Sequence, residues 1–166
     1  MIVGNKDNKK PEIENAKLEQ ATCDDIEEID KLICDTFGEN QGYSMGYYIN
    51  VICQNLSYIF KLNKKIIAVC LVDFNNEDLE GICISCLCVK KEYKHKGLGR
   101  KIISFCIDNC IWHGFEEFYL HVSTTNRNAL KLYISLGFEP VKLLEQYYDT
   151  PNPEDNDAYL MTVNFL

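Results

Sequence analysis

The sequence predicts an α/β domain with a mixed central sheet and flanking helices. Three observations predict this class. The chain has 166 residues and 46% apolar residues, enough for one buried core. Apolar residues recur with helical and strand periods in the order β-α-α-β-β-β-α-β-α-β-β. Helices interspersed among the later strands, after an antiparallel meander, are typical of a mixed sheet.

The chain begins with a polar stretch, residues 1–11, for which we predict a flexible tail before one domain over residues 12–166. A short strand is predicted over Lys17–Ala21. Thr22 stands three residues before Asp25, as an N-cap does, and apolar residues at helical spacing run on to Phe37. A Gly/Asn-rich turn follows, and an aromatic segment over Tyr43–Gln54 predicts a second short helix.

The middle of the chain is rich in β-forming residues, with turn residues between the runs. Strands are predicted over Ser57–Leu62, Ile66–Phe74 and Leu79–Val89. The separating turns, Asn63–Lys65 and Asn75–Asn76, are short. We therefore expect an antiparallel meander.

The last part alternates helices and strands. Gly99–Trp112 has the strongest helical pattern, and Gly114 follows its end. Asn126 is placed to cap a second helix that ends before Gly137. The predicted strands of this part are Glu117–Val122, Val141–Tyr148 and Ala158–Phe165.

Composition excludes several classes of protein. A formal net charge of -8 disfavours general binding to nucleic acid or anionic membranes. No apolar run is long enough to span a membrane, and the first ten residues are too polar for a signal peptide. The nine cysteines lie mostly in apolar runs, so we expect reduced core thiols and a cytoplasmic protein.

One cysteine spacing, C-x-x-C-x-C at Cys83, Cys86 and Cys88, is a candidate metal site. Side chains alternate along a strand, so Cys83 is expected to point away from the other two cysteines. No second Cys/His pair with zinc-finger spacing follows. We therefore predict that no metal binds here.

The basic turn, Val89–Ile103, reads VKKEYKHKGLGRKII and places six basic residues around Gly97 and Gly99 in an acidic chain. Glycines free the backbone N–H groups, and the start of a helix adds partial positive charge. This pattern indicates a site for a phosphorylated ligand; the alternative is a solvated basic loop. The turn matches neither the P-loop nor the dinucleotide fingerprint.

Two segments together carry a resemblance to a known family. Lys94–Gly99 (KHKGLG) is similar to the R/Q-x-x-G-x-G/A pyrophosphate loop of the GNAT acetyltransferases, with Lys94 where that family usually has Arg or Gln. Downstream, LHVSTTNRNALKLYISLGFEP resembles the family's second signature, with matches at Asn126, Ala129, Tyr133, Gly137 and Phe138. The resemblance implies the GNAT fold and acetyl-CoA as acetyl donor.

The resemblance is closer to the protein N-terminal acetyltransferases, and in particular to the NatE type, with the Golgi-associated NatF type more distant. It runs from about Lys17 to the C-terminus and includes YLHV at Tyr119–Val122 and the late Tyr147–Tyr148 pair. The amphipathic tail of a Golgi enzyme is not found, which favours a cytosolic relative.

Residue by residue, the resemblance implies catalytic roles at three positions. His121 is expected to act as general base through an ordered water, and Tyr133 to lie near the thioester sulfur. Cys83 stands where the NatE type has a catalytic tyrosine. Three alternatives stay open: His121 and water suffice, another tyrosine substitutes, or Cys83 is a weak acid/base. From its sequence alone, His121 could also be a core histidine.

The resemblance also implies binding residues. Phe37 and Tyr43 are expected to line the path of the substrate's first residues, with Tyr147 and Tyr148 opposite, on the two faces of one strand. The predicted acetyl-CoA-binding residues follow the strand end and the turn, with two more on the later helix: Leu87, Cys88, Val89, Lys94, His95, Lys96, Gly97, Leu98, Gly99, Arg100, Asn126 and Tyr133.

The expected function is acetyl transfer to protein N-termini, and the resemblance implies a preference for Met followed by an apolar residue. Presenting an α-amine of pKa near 8 in neutral form at pH 7 costs about 1.4 kcal/mol, against about 4.6 kcal/mol for lysine. One moderate base therefore suits an N-terminus better. Expected partners are nascent or mature N-termini and other acetyltransferase subunits at the ribosome. The alternatives are a lysine or small-amine acetyltransferase and a catalytically weak acetyl-CoA-binding subunit.

Overall fold

The computed structural model describes residues 13–74, 79 and 81–166. The predicted N-terminal tail and the predicted Asn75–Asn76 turn lie outside the described residues. The elements follow one another in the predicted order.

The described strands form one seven-stranded sheet in the order β1-β2-β3-β4-β5-β7-β6. Neighbouring strands are antiparallel except β4 and β5, which are parallel, so the prediction of a mixed sheet is confirmed. The strands are β1 Lys17–Gln20, β2 Tyr58–Leu62, β3 Lys65–Asp73, β4 Ile82–Val89, β5 Glu117–Ser123, β6 Glu139–Leu144 and β7 Ala158–Asn164. The helices are α1 Ile26–Phe37, α2 Met45–Cys53, α3 Leu98–Trp112 and α4 Arg127–Ser135.

Each face of the sheet has its own core. On one face, α3 buries Ile102 and Cys106 against β2–β5, and Tyr133 of α4 joins this core. On the other face, Ile29 of α1 and Tyr48 of α2 pack against β3 and the end of β4. The helices bury their apolar faces because the spacing of three and four aligns those residues toward the sheet.

The start of α1 is fixed by one carboxylate. Oδ2 of Asp25 accepts hydrogen bonds from the backbone N–H and the hydroxyl of Thr22, both at 2.9 Å. Its Oδ1 lies 2.8 Å from Nζ of Lys61 on β2. Burial opposes the charged form, but these partners outweigh it and hold the pKa of Asp25 below its usual range. The predicted Thr22–Asp25 cap therefore also ties α1 to the sheet.

Most predicted boundaries shift by a few residues in the structure, and two of these shifts lie close to the site described below. Helix α3 begins at Leu98 rather than Gly99, because Gly97 takes the left-handed conformation (φ +80°) that ends the turn. Strand β6 ends at Leu144, and Gln146 at φ +50° turns the chain. The prediction that Tyr147 and Tyr148 lie in a strand is therefore wrong; both lie in the loop between β6 and β7.

Among the described residues, no helix combines the length and the apolar character that crossing a membrane requires.

Candidate functional site

A cavity of about 550 Å³ opens where β4 and β5 separate. The two strands pair at Ile82–Phe118 and Cys83–Tyr119, and the described residues form no further pair between them. A bulge at Ser85 of β4, opposite Leu71 and Val72 of β3, lies beside the opening. An extended ligand can therefore enter between two strands of one sheet.

The basic turn lies next to one end of this cavity. Leu87, which lines the cavity, and Val89 both approach Gly99 at the start of α3. His95 and Gly97 have left-handed backbone conformations, with φ of +61° and +80°. The chain therefore curls tightly just before the helix N-terminus, a geometry that turns backbone N–H groups toward an anion.

The two glycines of the turn differ in whether the backbone requires a glycine at that position. Gly97 needs its freedom for its backbone conformation. At Gly99, an added Cβ would lie 3.6 Å from Cγ2 of Val89, an ordinary contact. The side chain of Arg100 donates a hydrogen bond to Oγ of Ser135 and so bridges α3 and α4.

The predicted coenzyme residues divide into two groups. Leu87, Asn126 and Tyr133 line the cavity. Asn126 caps α4, its side chain accepting from the N–H of Ala129 at 3.2 Å. The remaining predicted residues lie outside the lining, on the end of β4 and in the basic turn: Cys88, Val89, Lys94, His95, Lys96, Gly97, Leu98, Gly99 and Arg100.

At the other end of the cavity, which we call the aromatic end, Tyr43, His121 and Tyr148 line the wall, and Tyr147 contacts His121 and Tyr148 but is not part of the lining. His121 on β5 lines the cavity and stacks on Tyr147, with ring centroids 4.6 Å apart and planes at 14°. Tyr148 also lines the cavity and meets Tyr147 edge to face at 4.9 Å. The loop position, not strand alternation, brings both tyrosines to His121.

Tyr43 closes the aromatic end from the α1–α2 side. Its hydroxyl donates to the carbonyl oxygen of Ser85 at 2.8 Å, and its ring stacks on Tyr47 at 4.6 Å. Burial raises the pKa of Tyr43 far above its usual value and that of Tyr47 to about 12. Both phenols therefore stay protonated at neutral pH. Phe37, at the end of α1, lines the cavity but is 48% exposed.

Two loops meet across the aromatic end. Nε2 of Gln41 donates to the carbonyl oxygen of Asp149 at 3.3 Å, which joins the α1–α2 loop to the β6–β7 loop. The second loop is held from within, because Oδ1 of Asn156 accepts from the N–H of Thr150 at 2.9 Å. The carbonyl of Asn156 accepts from the N–H of Tyr148 at 2.8 Å. These bonds restrict the width of the aromatic end.

Burial also keeps Tyr133 protonated. Tyr133 on α4 is 7% exposed and packs edge to face on Phe138 at 5.9 Å. Desolvation raises the pKa of Tyr133 far above its usual value, so its hydroxyl remains a hydrogen donor.

Cys83 does not line the cavity. It is 4% exposed and packs with Tyr119 and Leu160. The expectation that it points away from Cys86 and Cys88 is wrong, because the bulge at Ser85 shifts the alternation by one residue. Ile82 and Ile84 thus face the α3 core, while all three cysteines lie on the opposite face. In the described part of the chain, no three His, Cys, Asp or Glu side chains are grouped to hold a metal.

Sequence reasoning missed most of the polar lining. These residues come from the end of α1, from the bulge, from the end of β5 and from both loops: Thr36, Gln41, Ser85, Ser123, Thr125, Thr150, Asn152 and Asp155. One signal was available for the last three, because the Pro-rich acidic loop at 150–157 falls between strands. Ser85 has no such signal, since its run reads as a regular strand.

Comparisons with known proteins agree with this geometry. Residues 26–138 match the acetyltransferase (GNAT) family. The chain is 32% identical over 77 residues to the [ribosomal protein bS18]-alanine N-acetyltransferase of Escherichia coli, covering 46% of this chain and 51% of that one. It is 32% identical over 89 residues to N-alpha-acetyltransferase 50 of Danio rerio, covering 52% and 51%. The matches thus span about half the length of these relatives.

A solved structure shares the fold over nearly the whole chain. It is Arabidopsis thaliana Naa50 in complex with the bisubstrate analogue CoA-Ac-MVNAL. The TM-score is 0.77 at 24% identity, with 90% of this chain and 99% of that chain covered.

Proposed function

The chain belongs to the acetyltransferase (GNAT) family, and on this premise we propose that it transfers the acetyl group of acetyl-CoA to the α-amino group of protein N-termini. The observation that supports this most is the aromatic end. There His121 lines the cavity beside two tyrosines, and the Gln41–Asp149 hydrogen bond joins the walls. A narrow, aromatic site with one moderate base suits the end of a chain.

The donor side of the proposal rests on the basic turn. The left-handed residues His95 and Gly97 and the N-terminus of α3 provide backbone donors for a pyrophosphate. Lys94 and Lys96 attract the anion. In this proposal the cavity between β4 and β5 takes the pantetheine arm past Asn126, and a backbone N–H near Leu87 donates to the thioester oxygen; both Leu87 and Asn126 line the cavity.

In the proposed reaction, the neutral amine attacks the thioester carbon directly. His121 accepts a proton from the amine through an ordered water as the new C–N bond forms and the C–S bond breaks. Tyr133, kept protonated by burial, donates a hydrogen bond to the departing thiolate, which takes up the proton that His121 accepted from the amine. Tyr43 fixes the Ser85 carbonyl at the bulge, which holds the β4 side of the opening in place.

We extend the proposal to the acceptor and its setting. The apolar and aromatic groups Phe37, Tyr43 and Tyr148 favour a terminal Met followed by an apolar residue. Resemblance to the NatE type suggests nascent or mature N-termini as acceptors, other acetyltransferase subunits at the ribosome as partners, and a cytoplasmic location.

Peptide kinetics tests the acceptor class. We expect turnover with a free Met-Leu peptide and little with an N-blocked peptide that carries a lysine. The lysine amine costs about 3 kcal/mol more to deprotonate, roughly a 200-fold disadvantage. Turnover of the blocked lysine peptide alone would overturn the proposal and favour a lysine acetyltransferase.

A second candidate is a catalytically weak subunit that binds acetyl-CoA. One observation favours it: Cys83, which by resemblance stands where the NatE type has a catalytic tyrosine, is buried away from the cavity lining. Calorimetric binding of acetyl-CoA without turnover of any peptide would support this candidate against the enzyme.

A further inference from the structure

The cysteines differ in their exposure to solvent. Six of the nine cysteines are buried, and Cys34 is half-buried. Cys23 and Cys53 are exposed, they lie on elements that contact each other, and the two side chains interact. Two neighbouring accessible thiols have a chemistry that a single thiol lacks.

The fold holds these two thiols together. Cys23 begins the short 3₁₀ turn before α1, and Cys53 is the last residue of α2. The backbone beside them is joined by two bonds: the N–H of Ala21 donates to the carbonyl of Ser57 at 2.9 Å, and Nε2 of Gln20 donates to the carbonyl of Asn55 at 2.7 Å. These hydrogen bonds therefore hold the segments that carry Cys23 and Cys53 next to each other.

The Cys23–Cys53 pair lies at the end of the α1–α2 helix pair that is opposite the cavity. Because the start of α1 meets the end of α2, the two helices run antiparallel, and their connecting loop is at the far end, where Tyr43 reaches the cavity. Between the ends, the hydroxyl of Tyr48 donates to Oδ1 of Asp30 at 2.7 Å. A covalent link between Cys23 and Cys53 would close the helix pair at the end opposite the cavity.

We propose that Cys23 and Cys53 are a redox-active dithiol, which a low-molecular-weight disulfide such as oxidised glutathione converts into an intramolecular disulfide. One thiolate attacks the oxidant and releases one reduced thiol. The second protein thiolate then attacks the mixed disulfide, forms the Cys23–Cys53 bond and releases a second reduced thiol. Two electrons and two protons pass to the oxidant.

The electrostatic surroundings set the conditions for this reaction. Desolvation, the Cys53 thiol and the charge of Asp24 raise the pKa of Cys23. Less thiolate is then present at neutral pH than for an unperturbed cysteine. The reaction is expected to be slow at pH 7 and faster at pH 8.5.

The test uses the full chain treated with oxidised glutathione at pH 8.5, unfolded, alkylated and analysed by peptide mass spectrometry. We expect a crosslinked Cys23–Cys53 peptide and two fewer alkylated cysteines than in the reduced protein. Closing the segment between them should raise the melting temperature by roughly 5–10 °C. Dithiothreitol should reverse both changes.

Three variants complete the test. Cys23→Ser and Cys53→Ser should each lose the crosslink and the redox-dependent melting shift, while the matched control Cys34→Ser on α1 keeps both. Because Cys23 and Cys53 are exposed, the serine variants are expected to fold. Separate glutathione adducts on Cys23 and Cys53 without a crosslink, or a crosslink that survives in Cys53→Ser, would overturn the proposal.

Discussion

The basic turn and the aromatic end serve the same cavity but are built in opposite ways. The basic turn is one contiguous, largely exposed segment whose features are backbone conformation and charge. The aromatic end gathers side chains from β5 and from two loops that are over 100 residues apart, joined by the Gln41–Asp149 bond. In the basic turn several charges and backbone N–H groups contribute to binding the same anion, so the loss of one is partly compensated. At the aromatic end each side chain has a role that no other side chain repeats. We therefore expect point changes to act weakly on the first and strongly on the second.

The largest effect is expected for His121→Ala. Loss of the proposed general base should lower kcat by about 100- to 10 000-fold while the acetyl-CoA KM stays nearly unchanged. Steady-state kinetics with a Met-Leu peptide measures both constants. His113→Ala is the matched control, because His113 is exposed at the end of α3. An unaltered kcat would remove His121 as base.

A smaller effect is expected when the charge of the basic turn is reversed. Lys94→Glu with Lys96→Glu should raise the acetyl-CoA KM roughly tenfold and leave the peptide KM nearly constant. The effect should shrink as salt is added. The control is Lys64→Glu with Lys65→Glu, at the exposed β2–β3 turn. Equal acetyl-CoA KM values in both double variants would mean that the basic turn is only a solvated loop.

A single hydrogen bond provides the next comparison. Tyr43→Phe keeps the ring stacked on Tyr47 but removes the donor to the Ser85 carbonyl. The loss of about 1 kcal/mol should lower kcat/KM for the peptide roughly fivefold. Tyr58→Phe is the control, since Tyr58 packs on Phe105 away from the cavity. Equal losses in the two variants would point to general destabilisation.

The same contrast explains what the sequence could predict. The order of elements follows from local periodicity, and the basic turn is readable because its glycines and lysines are neighbours in the chain. His121 was found through the resemblance around Tyr119–Val122, since its periodicity alone equally fits a core histidine. The contact of Tyr43 with Ser85 has no local signal, because it depends on how the α1–α2 loop packs on the sheet.

The errors have one physical origin. The alternation of side chains along a strand predicted that Tyr147 and Tyr148 lie on opposite faces, and that Cys83 points away from Cys86. Both inferences assume an uninterrupted pleat. Gln146 at φ +50° and the bulge at Ser85 interrupt it. Such interruptions occur beside the cavity, so strand alternation is least reliable where the site is.

The smallest kinetic effect is expected from a change remote from both ends. Asp25→Asn removes the carboxylate that joins Thr22 and Lys61, and should lower the free energy of unfolding by about 1–3 kcal/mol without altering either KM.

The folded-state pKa of Asp25 is depressed, so its stabilisation is complete above the unfolded pKa of about 3.9 and is lost as pH falls through the folded pKa. Urea unfolding should therefore separate the wild type and the variant by a constant amount between about pH 6 and 8, with a smaller difference below about pH 4. A difference that is independent of pH would assign the loss to packing. A changed KM would show that α1 transmits its position to Phe37 and Tyr43, and that the aromatic end depends on more than its own side chains.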